Sequence, residues 1–320
     1  SLNRSDLTPN LTNNYIRTTI TVEAWVLFSL VAAFLQNLRN SLQKSINSVL
    51  STSSAAYTRF AFGLPLAIIY WCIMRLYDPQ ALKWGIEFFS FASLGAVAQI
   101  LAMWFLLRSF ALKSFAAGNA YSKTETIQTA FFTILILGEA VAGITFLAII
   151  ISFVGVCFLS LAKLTIDPRE FLFSWTNKGA LMGLANGMLL GISAVSYRGA
   201  GLSLDSDNPL LAASATLMVA LIIQTILLTA YLYFYEKGEL KKVWQNKGKA
   251  SLVWLSSMLG SVGWFTAMTI QNAAYVRAVG QVELIFSFLT SILIFKEKIT
   301  FYEILGTVLI VGGILILLLD

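Results

Sequence analysis

The chain has 320 residues, 58% of them hydrophobic and only 12% charged, with a mean hydropathy of +0.77. Water-soluble domains carry about 25% charged residues, so this composition describes an integral membrane protein, and at roughly 20 residues per crossing it could fill about ten helices. The absence of histidine excludes a Ser-His or Cys-His dyad, a His-ligated zinc and a histidine proton relay.

A net charge of +6 invites a nucleic-acid partner, but the 22 basic residues are scattered and form no stripe interleaved with aromatics. Cys72 and Cys157 each stand alone in an apolar run and read as small core residues, not as a disulfide.

Residues 1–21 form a polar, Asn- and Thr-rich tail without the apolar region of a cleavable signal peptide. Position 1 is Ser, so the natural start is expected to have been trimmed or replaced. Ten apolar spans follow, near 22–45, 54–76, 86–109, 115–138, 141–162, 178–198, 210–235, 250–272, 275–295 and 300–319. Asp78-Pro79, Asp167-Pro168 and Asn208-Pro209 punctuate them. The runs are continuously apolar, which disfavours a β-barrel and predicts an all-α fold.

Polar groups inside the spans mark candidate sites. Span one carries Gln36, Asn37, Arg39, Asn40, Gln43 and Lys44, with Asn37, Asn40 and Lys44 on one face. The competing reading makes Arg39, Lys44 and Arg198 snorkelling residues at span ends. Arg59, near the start of span two, reads as a surface anchor. Span three offers Gln99, Trp104 and Arg108; span six offers Asn186, Ser193, Ser196, Tyr197 and Arg198; span eight offers Trp264, Gln271 and Asn272. Trp104 and Trp264 could wall a cavity or cage a cation, against the alternative of belt anchors.

Two glutamates lie deepest. A charge at the centre of a membrane helix costs about 2.5–3.5 kcal/mol, so Glu125 in span four and Glu283 in span nine each need a partner or a wet cavity. Tyr121, Glu125 and Gln128 fall on one face at helical spacing, as do Glu283 and Ser287, while Gln281 lies off that face. The glutamates read either as substrate or proton sites, or as buried charges paired with Lys123, Arg39 or Arg198.

The chain also repeats itself. Glu125 and Glu283 are 158 positions apart, and at that offset Ile134-Leu135-Ile136 falls on Ile292-Leu293-Ile294, Glu139 on Glu297 and Gly155 on Gly313. Ten of the 38 positions from 125 to 162 are identical, and Asn40 falls opposite Arg198. Two five-span halves follow, and because five is odd the second enters the membrane inverted, a transporter architecture.

The segment from Glu125 to Gly138-Glu139, a glutamate before an apolar helix closed by Gly-Glu, recurs from Glu283 to Lys296-Glu297. With the late glycines Gly155 and Gly312-Gly313, this resembles the EamA family of the drug/metabolite transporter superfamily, over nearly the whole chain. The chain departs from the pattern at Thr126 and Leu284, where the family often has proline, and at Lys296. The resemblance implies a polar tail (1–21), a first repeat (22–162), a linker (163–177) and a second repeat (178–320). Spans five and ten would pack peripherally, with Gly143, Gly155, Gly306, Gly312 and Gly313 as close-packing positions. Spans one, three, four, six, eight and nine would line the cavity.

The resemblance further implies a secondary transporter; the mix of carboxylate, amide and aromatic groups suits small metabolites such as amino acids or amphiphilic compounds, and the buried glutamates in a chain without histidine suggest export by alternating access with proton coupling. Uniport, exchange or uptake of a polar metabolite is the alternative, and a non-transporting receptor is the rival from another class. No cofactor is expected, and the partners are a small-molecule substrate and the lipid bilayer, with the chain a monomer or homodimer in a bacterial inner membrane. The chain has no HExxH, no GxSxG in a suitable context and no acidic metal cluster, which argues against an enzyme. The family orientation puts both termini in the cytoplasm, yet leaves four basic residues (Arg4, Arg17, Arg75, Lys83) inside against eight outside (Lys163, Arg169, Lys178, Lys237, Lys241, Lys242, Lys247, Lys249), opposite to the positive-inside rule.

Overall fold

A computed structural model describes residues 24–42, 50–110, 121–163, 177–248, 250–293 and 299–319. The polar tail, Gln43, Lys44, most of the linker with Arg169, Lys249 and Lys296-Glu297 lie outside the described residues. Within them the fold is all helical, without strands. Residues 24–42 form α1, followed by α2 (Thr52–Tyr77), α3 (Ile86–Phe110) and α4 (Glu125–Phe132), which runs on as one π turn, Thr133–Leu137. Then come α5 (Gly143–Lys163), α6 (Lys178–Ser203), α7 (Pro209–Tyr235), the short connecting α8 (Glu239–Gln245), α9 (Ser251–Ile270), α10 (Ala273–Gly280), α11 (Val282–Leu293) and α12 (Phe301–Leu319). Seven of these, α2, α3, α5, α6, α7, α9 and α12, are long and apolar enough to cross a bilayer. Leu27, Ile69, Phe131, Leu147, Ile226 and Val308 are exposed on the outside of the bundle, an apolar surface suited to lipid, not to water.

Local chemistry sets the helix starts. The Ser51 hydroxyl accepts from the Ser54 N–H at the head of α2. Asn208 Oδ1 accepts from the N–H groups of Leu210 and Leu211, with Pro209 in the first turn, where its missing N–H costs nothing. Thr300 and Glu303 form a capping box on α12: the Glu303 carboxylate accepts from Thr300 N at 2.8 Å while the Thr300 hydroxyl accepts from Glu303 N at 3.3 Å.

Helices pair where small residues let backbones approach. α5 and α12 cross at Gly155 and Gly306, where a β-carbon on Gly155 would meet the Gly306 carbonyl oxygen at 2.6 Å, and Gly313 lies equally tight against Ala148 and Ser152. The close-packing expectation therefore holds for Gly155, Gly306 and Gly313 but not for Gly143 and Gly312, where a β-carbon would meet nothing within 4 Å. α1 lies on α9 through Gly260 and Gly263, which face Ala32, Leu35 and Phe28. α3 lies on α6, where Ser193 Oγ donates to the Gly95 carbonyl (2.9 Å) and Asn186 Nδ2 to the Ala102 carbonyl (2.7 Å).

Spans four and nine depart from the continuous helices that apolarity predicts. Residues 121–122 are helical, 123–124 turn, and α4 restarts at Glu125. Gln281 likewise separates α10 from α11. At both places the backbone tightens to three-residue bonds, Thr124 N to Tyr121 O and Gln281 N to Ala278 O, and the Thr124 hydroxyl also donates to Tyr121 O, competing with the helical ladder. With the break between them, Tyr121 and Glu125 do not share a continuous helical face; Gln128 keeps its place in α4.

Candidate functional site

The two breaks place both glutamates in the first turn of a new helix, where the positive end of the helix dipole favours a carboxylate. Glu125 lies about 18 Å of helix rise from Leu137 and Glu283 about 15 Å from Ala273, roughly the middle of a bilayer about 30 Å thick. Both are nearly buried, at 9% and 8% exposure.

Their partners differ. Glu125 forms an ion pair with Arg277 of α10, whose guanidinium lies 5.2 Å from the centre of the Trp264 ring. Glu283 accepts from two amides of α1, Gln36 Nε2 at 2.5 Å and Asn40 Nδ2 at 2.8 Å. Gln36 Oε1 in turn accepts from Trp264 Nε1 (3.1 Å), and Asn40 Oδ1 accepts from Arg39 Nε (3.2 Å) and Nη2 (2.8 Å). One polar chain thus runs from Arg39 through Asn40, Glu283, Gln36 and Trp264 to Arg277 and Glu125. It joins α1, α11, α9, α10 and α4. Beside it, Ser287 Oγ donates to Asn37 Oδ1 (2.8 Å) and Gln281 Nε2 donates to Thr126 Oγ1 (2.6 Å). A small cavity of about 30 Å³ is lined by Gln36, Lys123, Glu125, Trp264, Arg277, Gly280, Gln281 and Glu283. Gln281 Oε1 is buried there without a protein donor among the described residues.

The structure thus gathers Glu125, Glu283, Trp264 and Gln281 around one cavity and ties Arg39, Asn37 and Asn40 to its α1 and α11 wall. Tyr121 closes the turn before α4 through its backbone carbonyl. The other candidates lie elsewhere. Asn186 is spent on the α3–α6 contact, and Tyr197 is buried in a network with Gln99 and Gln224: its hydroxyl donates to Gln99 Oε1 (2.9 Å) and accepts from Gln224 Nε2 (3.1 Å). Arg198 does not meet a glutamate of the cavity. Its Nε donates to both carboxylate oxygens of Glu139 at 2.8 Å and its Nη1 to the Met268 carbonyl at 2.8 Å. Trp104 is 40% exposed, with the Arg108 guanidinium 4.2 Å above its ring. Among the described residues, spans three and six contribute helix contacts and none of the lining of this cavity.

Two residues depart from the sequence reading. Arg59 is no surface anchor: it is half-buried and donates from Nε to Ser257 Oγ of α9 at 3.0 Å. Arg277, the partner of Glu125, was not singled out at all. It stands third in a span expected to begin at 275, so it resembles an interfacial residue. The available signal is its place six residues before Glu283 on a chain with few intramembrane charges.

The helices and their lipid-facing surface define an integral, multi-pass membrane protein. The model of the EamA-like transporter family, one family of the drug/metabolite transporter superfamily, matches residues 177–319. One solved crystal structure aligns with 92% of this chain and 97% of its own, with a TM-score of 0.66 at 14% identity, a likeness of fold. No curated protein matches the sequence.

Proposed function

We propose that the chain is a secondary transporter of a small metabolite, working by alternating access of two inverted five-span repeats, 22–162 and 178–320, joined by the linker 163–177. The observation that carries this reading is the cavity at mid-membrane depth, between elements of both halves, with a carboxylate in the first turn of a broken helix from each. Broken helices that meet a polar cavity are how membrane carriers expose backbone and charge to a substrate. Ten crossings result if α1, the broken segment ending in α4 and the α10–α11 pair are added to the seven long helices.

Inversion is supported by the α5–α12 contact. Moving Gly155 by the 158-residue offset gives Gly313, and moving Gly306 back gives Ala148; the contact between Gly155 and Gly306 thus maps onto that between Gly313 and Ala148. Such an exchange is what a pseudo-two-fold axis between the halves produces.

For coupling, Glu283 is the better proton carrier. Its direct ligands are neutral amides, so protonation breaks no ion pair, whereas protonating Glu125 strands the Arg277 cation. The Arg198–Glu139 pair, with its bond to Met268, joins the end of α4 to α6 and α9 and is proposed as a gate latch.

The test is efflux of a mixture of amino acids and organic acids from proteoliposomes, with and without an imposed pH gradient. Glu283→Gln should retain exchange but lose acceleration by the gradient. Unchanged gradient dependence in both Glu125→Gln and Glu283→Gln removes coupling from these residues.

A further inference from the structure

The charges around the cavity do not balance. Besides Arg277, Lys123 lines the wall, and the same face of α1 continues from Gln36 to Arg39. Gly260 of α9 lies beside Gln36, Leu42 and Tyr57 of α2 pack against the same apolar cluster, and Arg59 of α2 bonds to Ser257, one turn before Gly260, which brings Arg39 and Arg59 to the same level of the bundle. Arg39 lies within charge–charge range of Arg59, Arg277 and Glu283. Against these four cations stand two carboxylates: Glu125 pairs with Arg277, and Glu283, whose oxygens each accept from an amide, is shared between Arg39 and Arg277.

Arg39 and Arg59 meet neutral groups. The hydrogen bonds of Arg39 go to Asn40 Oδ1, and that of Arg59 goes to Ser257 Oγ, with the guanidinium 5.5 Å from the Phe60 ring. Each guanidinium has five N–H donors, so most are left without a protein acceptor among the described residues. Two like charges inside a helix bundle in a membrane are costly unless a counter-charge joins them. Arg59 lies about 10 Å of helix rise from the start of α2, and Ser257 about 9 Å from the start of α9, so the arginines stand between that end of the bundle and the two glutamates.

We propose that the transported molecule is an anion, whose carboxylate or phosphate group is received between Arg39 and Arg59. The planar fork of a guanidinium pairs with either group through two parallel hydrogen bonds. A cationic substrate would face Arg39, Arg59 and Lys123 together, and a neutral one would leave the arginines unneutralised. This inference rests on the transporter reading and narrows it to a substrate class.

The experiment loads proteoliposomes with equal concentrations of succinate, glutamate, glycerol 3-phosphate, glutamine and lysine, and follows the loss of each by mass spectrometry against protein-free vesicles. Selective loss of the three anionic probes, reduced about tenfold or more in Arg39→Gln/Arg59→Gln, is the expected result. Succinate and glutamate alone assign a carboxylate site, and glycerol 3-phosphate alone a phosphate site. Preferential loss of glutamine or lysine overturns the anion site while leaving the transporter reading standing. Efflux of none of the probes counts against transport, and the thermal midpoint of the purified protein then decides the site separately. A rise in that midpoint with the anions, absent in the double variant, keeps the anion site without flux; no rise removes both. Arg59→Gln controls for folding, because it relieves repulsion by Arg39 and keeps a donor for Ser257: its ligand-free midpoint should not fall. A fall would mean that Arg59 is structural and overturn its role.

Discussion

Removing either member of the Glu125–Arg277 pair should destabilise the protein far more than removing both. Glu125→Gln keeps the shape of the side chain but leaves a guanidinium buried against Trp264 with no carboxylate beside it. Breaking a buried ion pair from one side costs about 3–5 kcal/mol, because the remaining charge loses its partner and cannot regain water. Arg277→Met strands Glu125 instead and also forfeits the cation–π contact, about 0.5–2 kcal/mol, and the attraction to Glu283, so it should be the larger loss. In the double variant no charge of the pair is stranded, and the remaining deficit reduces to the aromatic contact and the helix-terminus interaction of Glu125, about 1–3 kcal/mol together. The double-mutant cycle should then show a coupling of at least about 2 kcal/mol. Unfolding of the purified protein in mixed micelles with increasing dodecyl sulfate, followed by tryptophan fluorescence, measures all four corners. Single losses that add to within about 0.5 kcal/mol would refute the ion pair as a determinant of stability.

Three further outcomes follow from the same geometry. Gly155→Ala should cost about 1–3 kcal/mol in the same unfolding assay, since its β-carbon would meet backbone atoms of Gly306 and Ile310 that cannot yield; Gly312→Ala, with open space around it, should be neutral or stabilising by up to about 1 kcal/mol, and equal effects at the two sites would refute the crossing. Outside the membrane, the Glu239 carboxylate is pulled down to about 2 from its ordinary 4.5 by hydrogen bonds from Lys242 and Ser54 and from the Ser51 N–H. Its contribution is complete above pH 4.5 and is lost as pH falls toward 2; Glu239→Gln should flatten the pH dependence of the thermal midpoint in that window, and an unchanged slope would refute the assignment. Glu139→Gln, which replaces the charged pair with a weaker neutral hydrogen bond, should speed alkylation of Met268→Cys several-fold in a background of Cys72→Ala and Cys157→Ala; an unaltered rate removes the latch.

Apolar runs and turn dipeptides made most helices legible: Asn208-Pro209 opens α7, and α2 stops at Tyr77, before Asp78-Pro79. The breaks in spans four and nine were not legible, because Tyr121–Thr124 and Gln281 are ordinary helix residues in an apolar setting. The loss of the helical ladder depends on local three-residue bonds and on partners in distant helices. The glutamates stood out because an intramembrane charge is costly wherever it faces. Their partners did not, since Gln36 and Glu283 are 247 residues apart and Arg277 looked like a span end. Asn186 and Tyr197 show the converse: polarity in a span marks a buried hydrogen-bonding need, which a neighbouring helix can satisfy as well as a substrate can.

The offset that makes Glu125 and Glu283 equivalent does not make their surroundings equivalent. Carried back by 158 positions, Arg277 falls on Asn119, so Glu283 has no arginine in the corresponding place; carried forward, Gln36 falls on Ala194 and Asn40 on Arg198, which is engaged with Glu139. Two carboxylates at two helix breaks thus have different partners. One is held as a fixed charge against a cation, the other is cradled by neutral amides. This division predicts unlike phenotypes from like substitutions. Glu125→Gln should lose stability yet keep the response of transport to a pH gradient, and stability should return when Arg277→Met is added. Glu283→Gln should stay folded, because its amide oxygen still accepts from Gln36 or Asn40 and no direct ion pair is broken, and should lose that response. If the two variants instead behave alike, the differing partners do not distinguish the carboxylates, and a single shared proton becomes the better account of the site.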